Sequence, residues 1–329
     1  MPIAILLLSG FALPIIASFF TTVHWTVDWV ALFLKPALIG LFIVGLALAA
    51  LVRWFKAGRR IAGLAALALV PCALGFPLLG SSTSLTPEQE AEALTVYQHN
   101  VWAGNLDGAA IAEQIRALDP DVAVLIETSQ YYGTGEDFDG LSDTWPYQVK
   151  DAPRPARQAR LRILSKYPVS DTQIFRDEAT SVSVVVARVE AEFGPVTVMG
   201  LHFTRPWPFD WPKKQMEQLA VAMPVLEGYD CPCLVVGDFN SPPWGRLART
   251  LEARFDFHHL PLGWRGTWHE ALPEFIGIPI DLSFASGDLV FGEPQVLPPA
   301  GSDHRAVIFE IAPVDREQLE TTNTHTDIR

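Results

Sequence analysis

The sequence predicts an α/β domain carried behind a membrane-spanning head, and three observations predict it. Residues 1–80 hold five Lys or Arg and one Asp, a net of +4, so the rest of the 329-residue chain carries −17 of its overall −13. Long uncharged stretches fill the head. Beyond it, short β-rich runs alternate with helical patterns, and several runs end on Asn, Asp, Glu or His. A weakly basic apolar head on an acidic polar body excludes a disordered chain, an all-membrane transporter and a simple soluble domain.

In the head, residues 3–20, 36–52 and 61–80 carry no charge. Each stretch approaches the ~20 residues that a helix rising 1.5 Å per residue needs to cross a bilayer, so three transmembrane helices are expected. The first lacks the basic flank of a signal peptide, and Trp25, Trp29 and Trp54 fall near span ends. Segment 53–60 holds four of the head's five basic residues and is expected on the cytoplasmic side. That puts loop 21–35 and everything after residue 80 outside: a multi-pass protein of the inner (plasma) membrane with an extracytoplasmic domain. If a stretch, the short 36–52 above all, is a buried or re-entrant helix instead, the final side reverses.

A polar tether, 81–93, leads to one domain, 94–313, of a size suited to a single core, and a polar tail, 314–329, is expected to be disordered. Strands are expected over 95–99, 122–126, 161–164, 182–189, 196–201, 233–237, 280–285 and 306–311, with helices over 109–118, 213–226 and 246–252. The acidic body fits poorly with tight non-specific binding to long nucleic acid, which depends on Lys and Arg. Three cysteines make no disulfide framework; Cys231 and Cys233 are read as strand packing, with a metal or disulfide role open.

The chemistry lies where strands end. Asn100, Glu127, His202, Asp238 and Asn240 follow or close strands; Asp303 and His304 precede the last one, and Asp281 opens its neighbour. Singly, each has a plain reading, since Asn and Asp form turns and a lone His is usually structural. Jointly they supply the oxygen ligands, amide donor and base of metal-assisted phosphate ester hydrolysis.

Four segments in order, Val96-Tyr97-Gln98-His99-Asn100-Val101-Trp102, Asp119-Pro120-Asp121-Val122-Ala123-Val124-Leu125-Ile126-Glu127, Val235-Val236-Gly237-Asp238-Phe239-Asn240-Ser241 and Gly301-Ser302-Asp303-His304-Arg305, resemble the endonuclease/exonuclease/phosphatase superfamily. The head, with Gly104-Asn105, resembles its membrane-anchored bacterial members. The resemblance implies a four-layer α/β/β/α sandwich of two mixed sheets, with Glu127 as the principal Mg²⁺ or Mn²⁺ ligand and Asn100 and Asp303 completing the metal site. It implies His304 as a water-activating or phosphate-contacting histidine, oriented by Asp281. Asp238 would transfer the proton of nucleophile or leaving group, Asn240 would steady a non-bridging oxygen, and His202 would be a second phosphate-contacting or acid histidine.

Two segments depart from the family. Leu282-Ser283 follows Asp281 where members often have His or Tyr, and the loop after His202, Phe203-Thr204-Arg205-Pro206-Trp207-Pro208-Phe209-Asp210-Trp211-Pro212, is unlike nuclease loops. Arg205 there could grip a substrate phosphate or be a surface residue on a rigid turn. Trp207, Phe209 and Trp211 face lipid or substrate, or simply pack the loop. Arg154, Arg157, Arg160 and Arg162 form the strongest basic run, read either as a patch flanking the site or as a solvated loop.

The expected function is divalent-metal-dependent phosphoester hydrolysis, of phosphodiesters in nucleic acid, phospholipid headgroups or small molecules, beside the lipid bilayer. The alternatives are a phosphomonoesterase of the same fold and a catalytically silent tethered binding module.

Overall fold

Valine- and leucine-rich runs such as 122–126 and 233–237, apolar at nearly every position, specify strands covered on both faces, and their side chains are buried throughout. The computed structural model describes residues 2–55, 59–80, 83–128, 134–151, 160–207 and 211–314. In chain order the helices are α1 (Pro2–Ala17), α2 (Trp25–Ala31), α3 (Leu34–Phe55), α4 (Arg59–Gly75), α5 (Pro87–Glu92), α6 (Gly108–Leu118), α7 (Thr134–Asp139), α8 (Trp211–Glu227) and α9 (Arg246–Phe255). The strands are β1 (Leu94–Asn100), β2 (Val122–Thr128), β3 (Tyr147–Lys150), β4 (Arg160–Ser165), β5 (Val169–Arg176), β6 (Ser183–Ala191), β7 (Gly194–His202), β8 (Cys233–Asp238), β9 (Phe257–His259), β10 (Asp281–Ser286), β11 (Leu289–Phe291), β12 (Gln295–Val296) and β13 (Val307–Pro313).

Two mixed sheets result, ordered β11-β13-β1-β2-β4-β3, with β12 beside β13, and β5-β6-β7-β8-β10-β9. Each contains one parallel pair, β1 with β2 and β7 with β8. Val96, Val124 and Ile163 of one sheet meet Val185, Val198 and Val236 of the other in the central core. Helix α6 covers the outer face of the first sheet and α8 and α9 that of the second, which makes the α/β/β/α sandwich.

In the head, two helical segments among the described residues are long and apolar enough to cross a membrane, Leu34–Trp54 and Ile61–Leu79. The expectation of three is thereby corrected. Helix α1 has 16 residues, about 24 Å at 1.5 Å per residue, against a hydrocarbon core of ~30 Å. It stops where Ser18 turns its hydroxyl back onto the Pro14 carbonyl, 2.8 Å away. Helices α1, α3 and α4 still pack closely: a β-carbon on Gly40 would enter the Phe11 ring, and one on Gly45 would meet Leu69.

The head is also joined to the domain. Thr21 Oγ1 donates to the Trp244 carbonyl (3.0 Å), Trp244 Nε1 to the Ala31 carbonyl (2.8 Å) and Arg249 Nη2 to the Ser18 carbonyl (2.7 Å). Gly245 has no side chain to cap α9, and the carboxylate of Asp28 accepts the Arg246 N–H instead, at 2.9 Å. The supposed tether is docked as well, through Thr83 Oγ1 to the Gly292 carbonyl and Gln89 Nε2 to the Pro313 carbonyl. Cys231 and Cys233 are joined in a disulfide at the start of β8, so the strand-packing reading gives way to the disulfide one.

Candidate active site

In both sheets the carboxyl ends of the parallel pair open on the same cleft, the usual place for a ligand in such arrangements. Strands β1 and β2 deliver Asn100 and Glu127; β7 and β8 deliver His202 and Asp238, which are paired in register. Strand β10 enters antiparallel, setting Asp281 opposite Asp238. Glu127 sits at a bulge where the β2–β4 register shifts, with φ of 63°. A left-handed backbone at a glutamate is strained, and such strain marks functional positions. Gly237 has a steric reason to precede Asp238: a β-carbon there would collide with the Leu201 main chain.

These side chains converge through hydrogen bonds. Asn100 Nδ2 donates to Asp238 Oδ2 (2.9 Å) and Glu127 Oε1 (3.3 Å), while its side-chain Oδ1 accepts the Trp102 N–H. Glu127 Oε2 accepts the Ala103 N–H, and His202 Nε2 lies 3.4 Å from Glu127 Oε1. Asn240 Nδ2 donates to Asp238 Oδ2 and to the Phe203 carbonyl, both at 3.0 Å. Asp281 Oδ2 holds His304 Nδ1 at 2.8 Å, leaving Nε2 to face Asp238 Oδ2 and Asp303 Oδ1, each 3.9 Å away.

Two further residues hold this arrangement, and the sequence alone assigned a role to neither. Ser302 Oγ donates to the Asn100 carbonyl (2.6 Å) and accepts the His304 N–H (3.0 Å), stapling the last motif onto the first; its place in Ser302-Asp303-His304 was the available clue. Trp268 Nε1 donates to Asp303 Oδ2 at 3.3 Å from 35 residues away, which no local pattern announces. Arg205 is exposed on the loop after His202. Arg162 is buried, bonded to Asp139 at 3.0 Å and set over the Phe138 ring, so it is part of the packing rather than of a basic rim; Arg154, Arg157 and Phe209 lie outside the described residues.

Electrostatically the cleft is a carboxylate cluster that needs positive charge. Burial and the neighbouring Asp281 push Asp238 up to about 7. Burial alone would lower His304, but the charge and hydrogen bond of Asp281, then Asp238 and Asp303, drive it up to about 10. Burial would raise Glu127; His202, the Ala103 N–H, His304 and Asn100 together hold it below the usual range. Burial raises Asp303. Asp281 Oδ1 and Asp303 Oδ1 are buried with no hydrogen-bond partner. Carboxylate and imidazole atoms of Glu127, His202 and Asp238, and of Asp238, Asp281 and His304, lie within 4.8 Å of one another. Orphaned hard oxygens beside a like-charged cluster fit a divalent cation.

Residues 97–304 match the model of the endonuclease/exonuclease/phosphatase family. The chain belongs to this family. Its members hydrolyse phosphate esters, and the protein is a metal-dependent phosphoester hydrolase. Solved family structures share the fold at low identity. An endonuclease/exonuclease/phosphatase protein of Beutenbergia cavernae is 19% identical over 68% of this chain and 72% of that one, with a TM-score of 0.54. A mannosyl-6-phosphatase of Bacteroides thetaiotaomicron is 14% identical over 67% and 99%, with a TM-score of 0.53. TDP2 of Danio rerio, in complex with a single-stranded DNA product, is 15% identical over 67% and 98%, with a TM-score of 0.54. No curated protein matches.

Proposed function

We propose that the protein is a membrane-tethered phosphodiesterase, dependent on Mg²⁺ or Mn²⁺, that cleaves a lipid headgroup ester on the extracytoplasmic side. The observation that carries the reaction is the convergence on Asp238, whose buried carboxylate accepts from Asn100 and Asn240 and lies 3.7 Å from His202 Nε2 and 3.9 Å from His304 Nε2. Burial and the neighbouring Asp281 raise its affinity for a proton, and in this reading Asp238 takes the proton of the attacking water. Asn100 and Asn240 orient its carboxylate. His304, locked by Asp281, binds a non-bridging phosphate oxygen as a cation, and His202 lies where a second oxygen or the leaving group would sit. Glu127 and Asp303 would hold the metal ion, which supplies Lewis-acid polarisation of the phosphate and a further compensating charge.

The lipid assignment draws on the head. With segment 53–60 cytoplasmic, the opposite ends of both spanning segments, near Leu34 and Leu79, lie outside together with the domain, whether or not α1 crosses. A disulfide suits that oxidising side. The acidic body disfavours long nucleic acid, and Trp207 rests 5.4 Å from Trp268 at the site's edge.

The full-length protein in lipid nanodiscs, given Mg²⁺, Mn²⁺ or chelator, is tested on bis-aryl phosphodiester, aryl phosphomonoester, single- and double-stranded DNA, and sphingomyelin. Chelator-sensitive diester cleavage favouring sphingomyelin is expected, falling about 10²-fold or more in Glu127→Gln, since even indirect partners of a metal are worth 10–100-fold. Preference for DNA or for the monoester would replace the lipid reading, and full activity in Glu127→Gln would remove the metal assignment.

A further inference from the structure

Lys35 stands in the first turn of α3, at the outer end of a spanning segment, and is 1% exposed. A buried ammonium is costly unless its donors are used, and a helix seated only by packing would take Leu or Met there. Lys35 Nζ donates to the Gly277 carbonyl at 2.7 Å and the Glu274 carbonyl at 3.1 Å. Both carbonyls belong to segment 264–281, which serves the active site directly.

At one end of that segment, Trp268 gives its indole N–H to Asp303, and its main chain bridges both Ile278 and His304. At the other end, Asp281 orients the His304 ring, and its own N–H is held by Thr267 Oγ1. From the domain side, Arg305 donates to the carbonyls of His269, Glu270 and Leu272. From the head side, Leu32 packs with Ile278 and Ile280 in one apolar cluster against which Trp29 and Trp268 lie. The segment is therefore clamped between two side-chain donors, Arg305 of the Ser302-Asp303-His304-Arg305 motif and Lys35 of the head.

We propose that Lys35 is a positioning residue for the hydrolysis: the membrane anchor completes the active site by fixing segment 264–281, and through Trp268 and Asp281 the placement of Asp303 and His304. This inference rests on the roles given above to those four residues. The anchor is then part of the catalytic scaffold as well as a tether.

The test uses the full chain in nanodiscs, with bis-aryl phosphodiester as substrate. Lys35→Met keeps the length and apolarity of the helix end and removes both hydrogen bonds. It is expected to lower kcat by about 10–100-fold, the range for partners that orient a metal's ligands, with KM changed by less than about threefold. Amide hydrogen exchange is expected to rise in residues 264–281, at Thr267, Trp268, Ile280 and Asp281 above all, and to stay unchanged in β7 and β8. Lys35→Arg, which can still donate to both carbonyls, is expected to recover most of the rate. Arg249→Met, which cuts another head-to-domain hydrogen bond outside segment 264–281, is expected to keep activity within about twofold. Equal losses in Lys35→Met and Arg249→Met, or no rescue by Lys35→Arg, would overturn the proposal. So would unchanged exchange in 264–281, a reading that stands even if the wild type turns over none of the substrates tried.

Discussion

His99 is fully buried on β1, with its Nε2 3.2 Å from the His304 carbonyl and its Nδ1 2.8 Å from the Tyr97 hydroxyl. Burial pushes its pKa down to about 4, outweighing the hydrogen bond to His304. The folded protein thus keeps the ring neutral down to about pH 4, whereas the unfolded chain protonates it near pH 6.5. Between those values the unfolded state binds the extra proton, so this contribution to stability is whole above pH 6.5 and is lost as the pH falls towards 4. At about 1.4 kcal/mol per decade of proton affinity, the loss reaches about 3 kcal/mol. At ~2–4 °C per kcal/mol for a domain of this size, that is about 6–12 °C in Tm. Asp238, pushed up to about 7, acts in the opposite sense over much of the same interval, so the wild-type curve alone does not isolate His99. Thermal unfolding of wild type and His99→Gln at pH 7 and pH 4.5 does: the variant, without the titrating ring, should lose less Tm on acidification by roughly the amount given. Parallel losses in the two proteins would refute the assignment of a neutral buried ring.

Two further outcomes are expected. Asp281→Asn removes the charge that raises His304, and kcat should fall by about 10²–10⁴-fold, the usual worth of an oriented acid–base group, with little change in Tm; a rate within a few-fold of wild type would show that Asp281 is not needed to hold the histidine. In native membranes, a membrane-impermeant maleimide applied from outside should leave Cys231 unlabelled until a reductant is added. Labelling before reduction would remove the disulfide, and none after it would place the domain on the other side.

The buried strands were the most legible part of the chain, because a strand covered on both faces writes itself as an unbroken apolar run; β2 and β8 begin where that pattern begins. Strand β5 did not stand out, since its side chains lie mostly exposed at a sheet edge and read as a polar loop. In the site, Asn100, Glu127, His202, Asp238, Asn240, Asp281, Asp303 and His304 were visible because each falls at or near a strand end and most lie in the segments that resemble the family, and the fold gathers them into one cleft. Trp268 and Lys35 were not, because their meaning comes from partners far along the chain. Length limited the reading of the head: residues 3–20 are uncharged for long enough to span, but no composition rule marks the turn at Ser18 that shortens α1.

The carboxylate of Asp28 that completes α9 has a consequence for how the protein is made. The ribosome releases Asp28 more than two hundred residues before Arg246, the residue whose N–H it accepts, and N-terminal parts of a chain generally fold first. The head is therefore made, with its carboxylate available, before α9 exists. The catalytic domain closes onto a surface prepared ahead of it, and the first turn of α9 is finished by the head rather than from within. Exchanging this head for an unrelated segment would leave the Arg246 N–H at the start of α9 without the carboxylate that accepts it.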